Sequence, residues 1–150
     1  MKFSLQQLNK INAFPYNVNV TYDLSHYLKG SSMDLDTDIL AIKATDVNIT
    51  IVKVDTNTFS FDYRVVTDLI LPCSLTLEPV DYHMDISFTE IYSDVEIDDD
   101  NYFPFENNSV DCELVVWSNI VTNIPIRLVR EDAYEILKAR NITLDEIPND

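Results

Sequence analysis

The side chains able to do chemistry are few, and their spacing does not bring them into any working set. His26 and His83 lie far apart, and neither falls in a Cys-x-x-Cys, His-x-x-x-His or His-Glu-x-x-His pattern, so a zinc site has no support. A cysteine nucleophile with a histidine base is open on composition alone, yet no family signature surrounds Cys73 or Cys112. Two isolated thiols in a chain of this length read as reduced and buried, or as a pair if the fold brings them together. Asp34, Asp36 and Asp38 copy the first three ligand positions of a calcium-binding EF-hand loop. The copy stops there, because Ile39 stands where that loop needs glycine and Thr45 where it needs a bidentate glutamate. A solvated loop is what remains. Gly30 is the only glycine. Walker loops, dinucleotide-binding turns and nucleophile elbows each need several, for backbone close to phosphate or at positive φ, and all three are excluded. These residues therefore predict a protein that is not an enzyme and holds no metal or cofactor.

What the side chains carry instead is negative charge. Ten Lys and Arg oppose twenty-six Asp and Glu, a net of −16. Residues 1–75 hold six basic and eight acidic side chains, a net of −2, while residues 76–150 hold four and eighteen, a net of −14. No Lys or Arg stands between Arg64 and Arg127. Such a surface repels phosphates and steers basic partners, or it does no more than keep the chain in solution. The densest cluster is Asp94, Glu96, Asp98, Asp99 and Asp100, with Tyr102, Phe103 and Phe105 just after it. It reads either as a solvated loop or as a docking element, with carboxylates for steering and aromatics as anchors. In the first case the aromatics fold back onto the body of the protein. Arg127, Arg130, Lys138 and Arg140 are the candidate RNA contacts. Four cations beside eighteen acids make a weak phosphate-neutralising surface, because affinity scales with the counterions displaced.

The elements that must position these groups are legible in the pattern. A length of 150 residues suits one domain, 1–150, with a polar tail from about residue 141. No apolar run is long enough to span a bilayer, and Met1–Leu8 lacks the uninterrupted apolar region of a signal peptide, so the expected location is cytoplasmic. Ser4 can cap a short helix over Leu5, Leu8 and Ile11 that ends before Phe14-Pro15. Tyr16, Val18, Val20 and Tyr22 alternate with polar residues as a half-buried strand does. Residues 23–30 read as one or two helical turns, and 31–38 as a polar connection. Val47, Ile49 and Ile51 share one strand face, and Asp55–Thr58 makes a hairpin turn with Asn57 available for positive φ. Phe59, Phe61, Tyr63 and Val65 alternate in the next strand until Pro72 breaks it. Val80, Tyr82, Met84, Ile86, Phe88 and Tyr92 then face one way, and Asp81, His83, Asp85, Ser87 and Thr89 the other. Alternation this clean argues an antiparallel sheet with one solvated face. Residues 93–109 read as acidic and structureless. Asp111 can cap a helix over Cys112–Thr122 that buries Leu114, Trp117 and Val121 with Val116 and Ile120 alongside, and a last amphipathic helix spans about Asp132 to Arg140. The predicted architecture is α+β. A twisted antiparallel sheet, open or partly closed, is covered by the N-terminal helix and the two helices of the C-terminal third.

The order of these segments resembles the YceD-like large ribosomal RNA accumulation proteins. The likeness rests on the opening Met1–Leu8, the Asp23-Leu24-Ser25 turn, Leu71-Pro72-Cys73 through Val80, and Thr89-Glu90-Ile91-Tyr92. An acidic loop, the helix start at Val110-Asp111, and Ile124-Pro125-Ile126-Arg127 through Ala133 complete it. Pro72 and Cys73 are its sharpest motif. The family is implicated in accumulation of large-subunit ribosomal RNA, and its genes commonly neighbour that of a small basic ribosomal protein. The resemblance therefore implies a non-enzymatic role in ribosome biogenesis, with a basic ribosomal protein or a pre-large-subunit particle as partner. Leu75 and Thr76 stand where many relatives carry a second cysteine or an arginine, so Cys73 reads as a packed residue at a strand start. Two rivals remain open: an assembly factor binding ribosomal RNA directly, and a hydrolase or small-molecule binder with a pocket in the sheet.

Overall fold

The computed structural model describes residues 2–28, 39–94, 102–105 and 108–125. Its elements run β1 (Lys2–Ser4), α1 (Leu5–Asn9), β2 (Tyr16–Tyr22), β3 (Ala41–Ile42), β4 (Thr45–Asp55), β5 (Thr58–Pro72), β6 (Pro79–Ser93), β7 (Tyr102–Pro104), β8 (Ser109–Asp111) and α2 (Cys112–Thr122). A 3-10 turn at Ser25–Leu28 stands where the short helical segment was expected.

The alternation read in the sequence becomes a sheet in the order β2-β4-β5-β6-β7, with β3 pairing β5 beyond the end of β4. All pairings are antiparallel except β6 with β7. Because directly opposed residues share a face, the register Val47↔Val65, Ile49↔Tyr63 and Ile51↔Phe61 stacks the apolar side chains of β4 and β5 on one side. Ile49, Ile51, Phe59, Phe61 and Val65 are fully buried there. Each contributes about 1.5–3 kcal/mol by leaving water. Over this inner face lie the β1–β8 ribbon, α1 and α2. Phe3 of β1 meets Phe61 edge-on at 5.9 Å, and Trp117 of α2 stacks on Tyr27 at 5.0 Å.

Local chemistry accounts for the joints. Asn57, at φ 51°, turns β4 into β5, a conformation asparagine tolerates better than branched residues do. The β5–β6 hairpin closes at Pro72↔Pro79. There the Cys73 N–H donates to the Glu78 carbonyl at 2.8 Å, and the Leu77 N–H to the Cys73 carbonyl at 2.9 Å. Ser4 caps α1 reciprocally: its hydroxyl accepts from the Gln7 N–H, and the Gln7 side chain accepts from the Ser4 N–H. That exchange satisfies two donors a helix start otherwise leaves open.

The expectation of an α+β fold is overturned. Among the described residues 56% are strand and 19% helical, and only one helix, α2, has more than seven residues. The N-terminal helix starts at its predicted Ser4 cap but spans only the five residues of α1, stopping at Asn9 well short of Phe14-Pro15, and Lys2–Ser4 before it form a strand against Ser109–Asp111. The stretch expected to be structureless contributes β7 and the start of β8. The last predicted helix, Asp132–Arg140, lies outside the described residues, as do Gly30 and the aspartates 34, 36 and 38. Helix α2 matches its predicted bounds, but its buried residues are Cys112, Val116, Trp117 and Ile120, with Leu114 and Val121 half-buried. Over the described residues the fold is mainly β, with one substantial helix laid on it.

Candidate functional site

Two surfaces of the described residues concentrate charge. The first is the outer face of the sheet. The same alternation that buries β5 and β6 inward sends Asp46, Asp62, Asp68, Asp81 and Asp85 outward, all exposed, with Arg64 and His83 among them. Arg64 donates to both Asp85 oxygens, at 3.2 and 2.9 Å, and this forked bond holds the Asp85 carboxyl below its ordinary pKa and the guanidinium above its own. His83 Nδ1 lies 2.8 Å from Asp68 Oδ1. The balance of this face is anionic even with those two pairs.

The second is a groove of about 410 Å³ where α2 crosses the end of β6 and its partner β7. On its floor is Glu90. The inner face of β6 otherwise reads Val80, Tyr82, Met84, Ile86, Phe88 and Tyr92, and Glu90 falls in that row, opposite the fully buried Phe61. Its Oε2 accepts from the Tyr92 hydroxyl and its Oε1 from the Asn119 side chain at 3.5 Å. Asn119 is aimed by a second bond, to the Val115 carbonyl at 2.9 Å, one turn back along α2. The network continues inward: Tyr63 Oη lies 3.4 Å from Tyr92 Oη and donates to Cys112 Sγ at 3.7 Å. Burial pushes the Cys112 thiol up to about 11 and raises both tyrosines far above their ordinary value, since charge there would have almost no water. Deep in the fold this chain is neutral and inert; at Glu90 it reaches the groove.

Several residues singled out from sequence find their places here. Asp94 is exposed, and its N–H donates to the Asn57 carbonyl at 3.0 Å, tying the start of the acidic run to the β4–β5 turn. Glu96, Asp98, Asp99 and Asp100 lie outside the described residues. The three aromatics divide. Tyr102 and Phe103 belong to β7, paired in parallel with Ile91 and Tyr92, and Phe103 is 48% exposed at the groove. Phe105 is half-buried, 6.1 Å from the Tyr92 ring and 6.5 Å from Phe59. Pro72 ends β5, and Cys73 follows it, fully buried in the hairpin turn rather than at a strand start. Cys112 is likewise buried, bonded to Tyr63. Arg127, Arg130, Lys138 and Arg140 lie outside the described residues. Glu90 and Asn119 were not singled out from sequence. The available signal was parity: a carboxylate an even number of positions from Phe88 and Tyr92 must face inward.

The arrangement is that of a small, acidic, mainly β domain with one polar sheet face and a carboxylate-floored groove under its helix. The chain belongs to the family described as large ribosomal RNA subunit accumulation protein YceD, whose profile matches residues 61–143. The match opens within β5 and takes in the long hairpin, the groove's Glu90 and α2. The chain is also 27% identical over 138 residues to the uncharacterized protein YlbN of Bacillus subtilis (strain 168), covering 90% of this chain and 77% of that one. No solved structure matches it. Family membership gives the chain a ribosome-related role. No helix among the described residues is long and apolar enough to cross a membrane.

Proposed function

We propose that this chain is a non-enzymatic, cytoplasmic accessory protein of ribosome biogenesis. It supports accumulation of large-subunit 23S ribosomal RNA by binding a basic ribosomal protein, alone or on a pre-large-subunit particle, through its acidic surface. Membership of the YceD family supports the ribosomal part of this reading. The charge distribution supports the rest. A net of −14 over residues 76–150 disfavours direct contact with RNA phosphates and favours a cationic protein. Ribosomal proteins carry the complementary charge, and masking it before delivery would keep such a protein from binding RNA indiscriminately.

Two measurements test this. Loss of the gene should lower large-subunit relative to small-subunit ribosomal RNA, and an unchanged ratio while the protein is normally made would remove the ribosomal assignment. Purified protein should bind isolated basic large-subunit proteins with an on-rate that falls as salt rises, since exposed charges are screened beyond about 8–10 Å at physiological ionic strength. Tight, salt-sensitive binding of naked ribosomal RNA would replace the protein partner with direct RNA contact.

A further inference from the structure

We propose that the groove under α2 is a seat for an arginine side chain of the basic partner, with Glu90 as its counter-charge and Phe103 as its lid. The proposal rests on the reading above for the class of partner and adds the place of contact.

Glu90 has no account as a solubilising charge, because it stands on the inner face of the sheet, opposite Phe61, beneath α2. A carboxylate half-removed from water costs free energy unless its lone pairs are used. Tyr92 and Asn119 supply one donor to each oxygen. A carboxylate has about four acceptor positions, so each oxygen keeps capacity for one further donor. Among the described residues no cation pairs with it. Lys2 lines the same groove but forms no ion pair with Glu90 or with Asp111, whose side chain is engaged in capping α2.

The walls select the ligand. Leu114 and Val115 offer apolar surface for an aliphatic stem, and Phe103, 48% exposed, offers a ring face at the mouth. Arginine matches this set better than lysine. Its planar fork can donate to both oxygens of one carboxylate, and it stacks on aromatic rings. A volume of about 410 Å³ leaves room for one or two side chains.

The test is an NMR titration of the full-length labelled chain with the peptide acetyl-Leu-Arg-Leu-amide and with its uncharged citrulline counterpart. The arginine peptide should shift the amides of Glu90, Phe103, Leu114, Val115 and Asn119. The citrulline peptide should bind about tenfold more weakly. Glu90→Gln, which keeps one oxygen to accept from Asn119 and can donate its amide N–H to the Tyr92 hydroxyl, should weaken the arginine peptide about tenfold. Asp81→Asn removes the same charge from the outer face and should change binding less than about twofold. Thermal melts of both variants establish that they remain folded. Equal losses in the two variants would mean that net charge alone attracts the peptide, which overturns the groove and leaves the basic-partner reading standing. Citrulline binding as tight as arginine, or shifts confined to other surfaces, would also overturn it. An unchanged ribosomal RNA ratio in cells, with the arginine shifts present, would instead remove the ribosomal reading and keep the site.

Discussion

Alkali should open this protein through a defined cluster at its centre. Tyr63, Tyr92 and Cys112 are linked by hydrogen bonds and are at most 5% exposed. Burial lifts Cys112 from an ordinary 9.0 to about 11 and holds both tyrosines well above their ordinary 10.0. Unfolding returns each group to water and its ordinary value. Above about pH 9 the unfolded chain therefore binds fewer protons than the native one, and stability falls as pH rises. At about pH 11 the loss is about 2 kcal/mol from Cys112 and about 1.4 kcal/mol from each tyrosine, about 5 kcal/mol together. That is comparable to the whole stability of a marginal domain. Urea midpoints followed by the fluorescence of Trp117, the only tryptophan, should hold steady to about pH 9 and then drop steeply. Cys112→Ala will lower stability at neutral pH by leaving a void, but it should flatten the decline between about pH 9 and 11 by about 2 kcal/mol. A midpoint that stays level to about pH 11, or thiolate absorbance appearing in the folded protein near pH 9, would refute the burial argument.

Three further outcomes follow from the same geometry. Changing Asp94, Glu96, Asp98, Asp99 and Asp100 to Asn or Gln should slow association with a basic partner and flatten its salt dependence by stopped-flow, with little change in melting temperature. Phe105→Ala should cost about 2 kcal/mol in urea unfolding through its contacts with Phe59 and Tyr92, whereas Phe103→Ala should leave stability nearly unchanged and raise the partner's off-rate. Leu77 is 75% exposed at φ 63°, so Leu77→Gly should stabilise the β5–β6 hairpin by about 1 kcal/mol, read as a rise in melting temperature.

The amino-acid pattern was enough to determine the strands β2, β4, β5 and β6, the turn at Asn57, the helix start at Asp111 and the acidic balance. Each depends on chemistry within a few residues: side-chain parity, a capping oxygen, tolerance of positive φ, or formal charge. What depended on partners distant in sequence was not legible there. Three residues at Tyr102–Pro104 have no strand pattern of their own, and they extend because Ile91–Ser93 supply the hydrogen bonds. Lys2–Ser4 became strand for the same reason, against Ser109–Asp111, ahead of the Ser4 cap. Helix α2 carries Val115, Val116, Trp117, Ile120 and Val121 around much of its circumference, a pattern with no unique buried side. The sheet beneath fully buries Val116 and Ile120, expected only alongside, and leaves Leu114 and Val121 half-buried. Glu90 shows the division most plainly. Parity along β6 pointed it inward, but only the crossing of α2 set Asn119 over it and made a groove, because periodicity assigns a side chain to a face and only packing decides what lies across from that face.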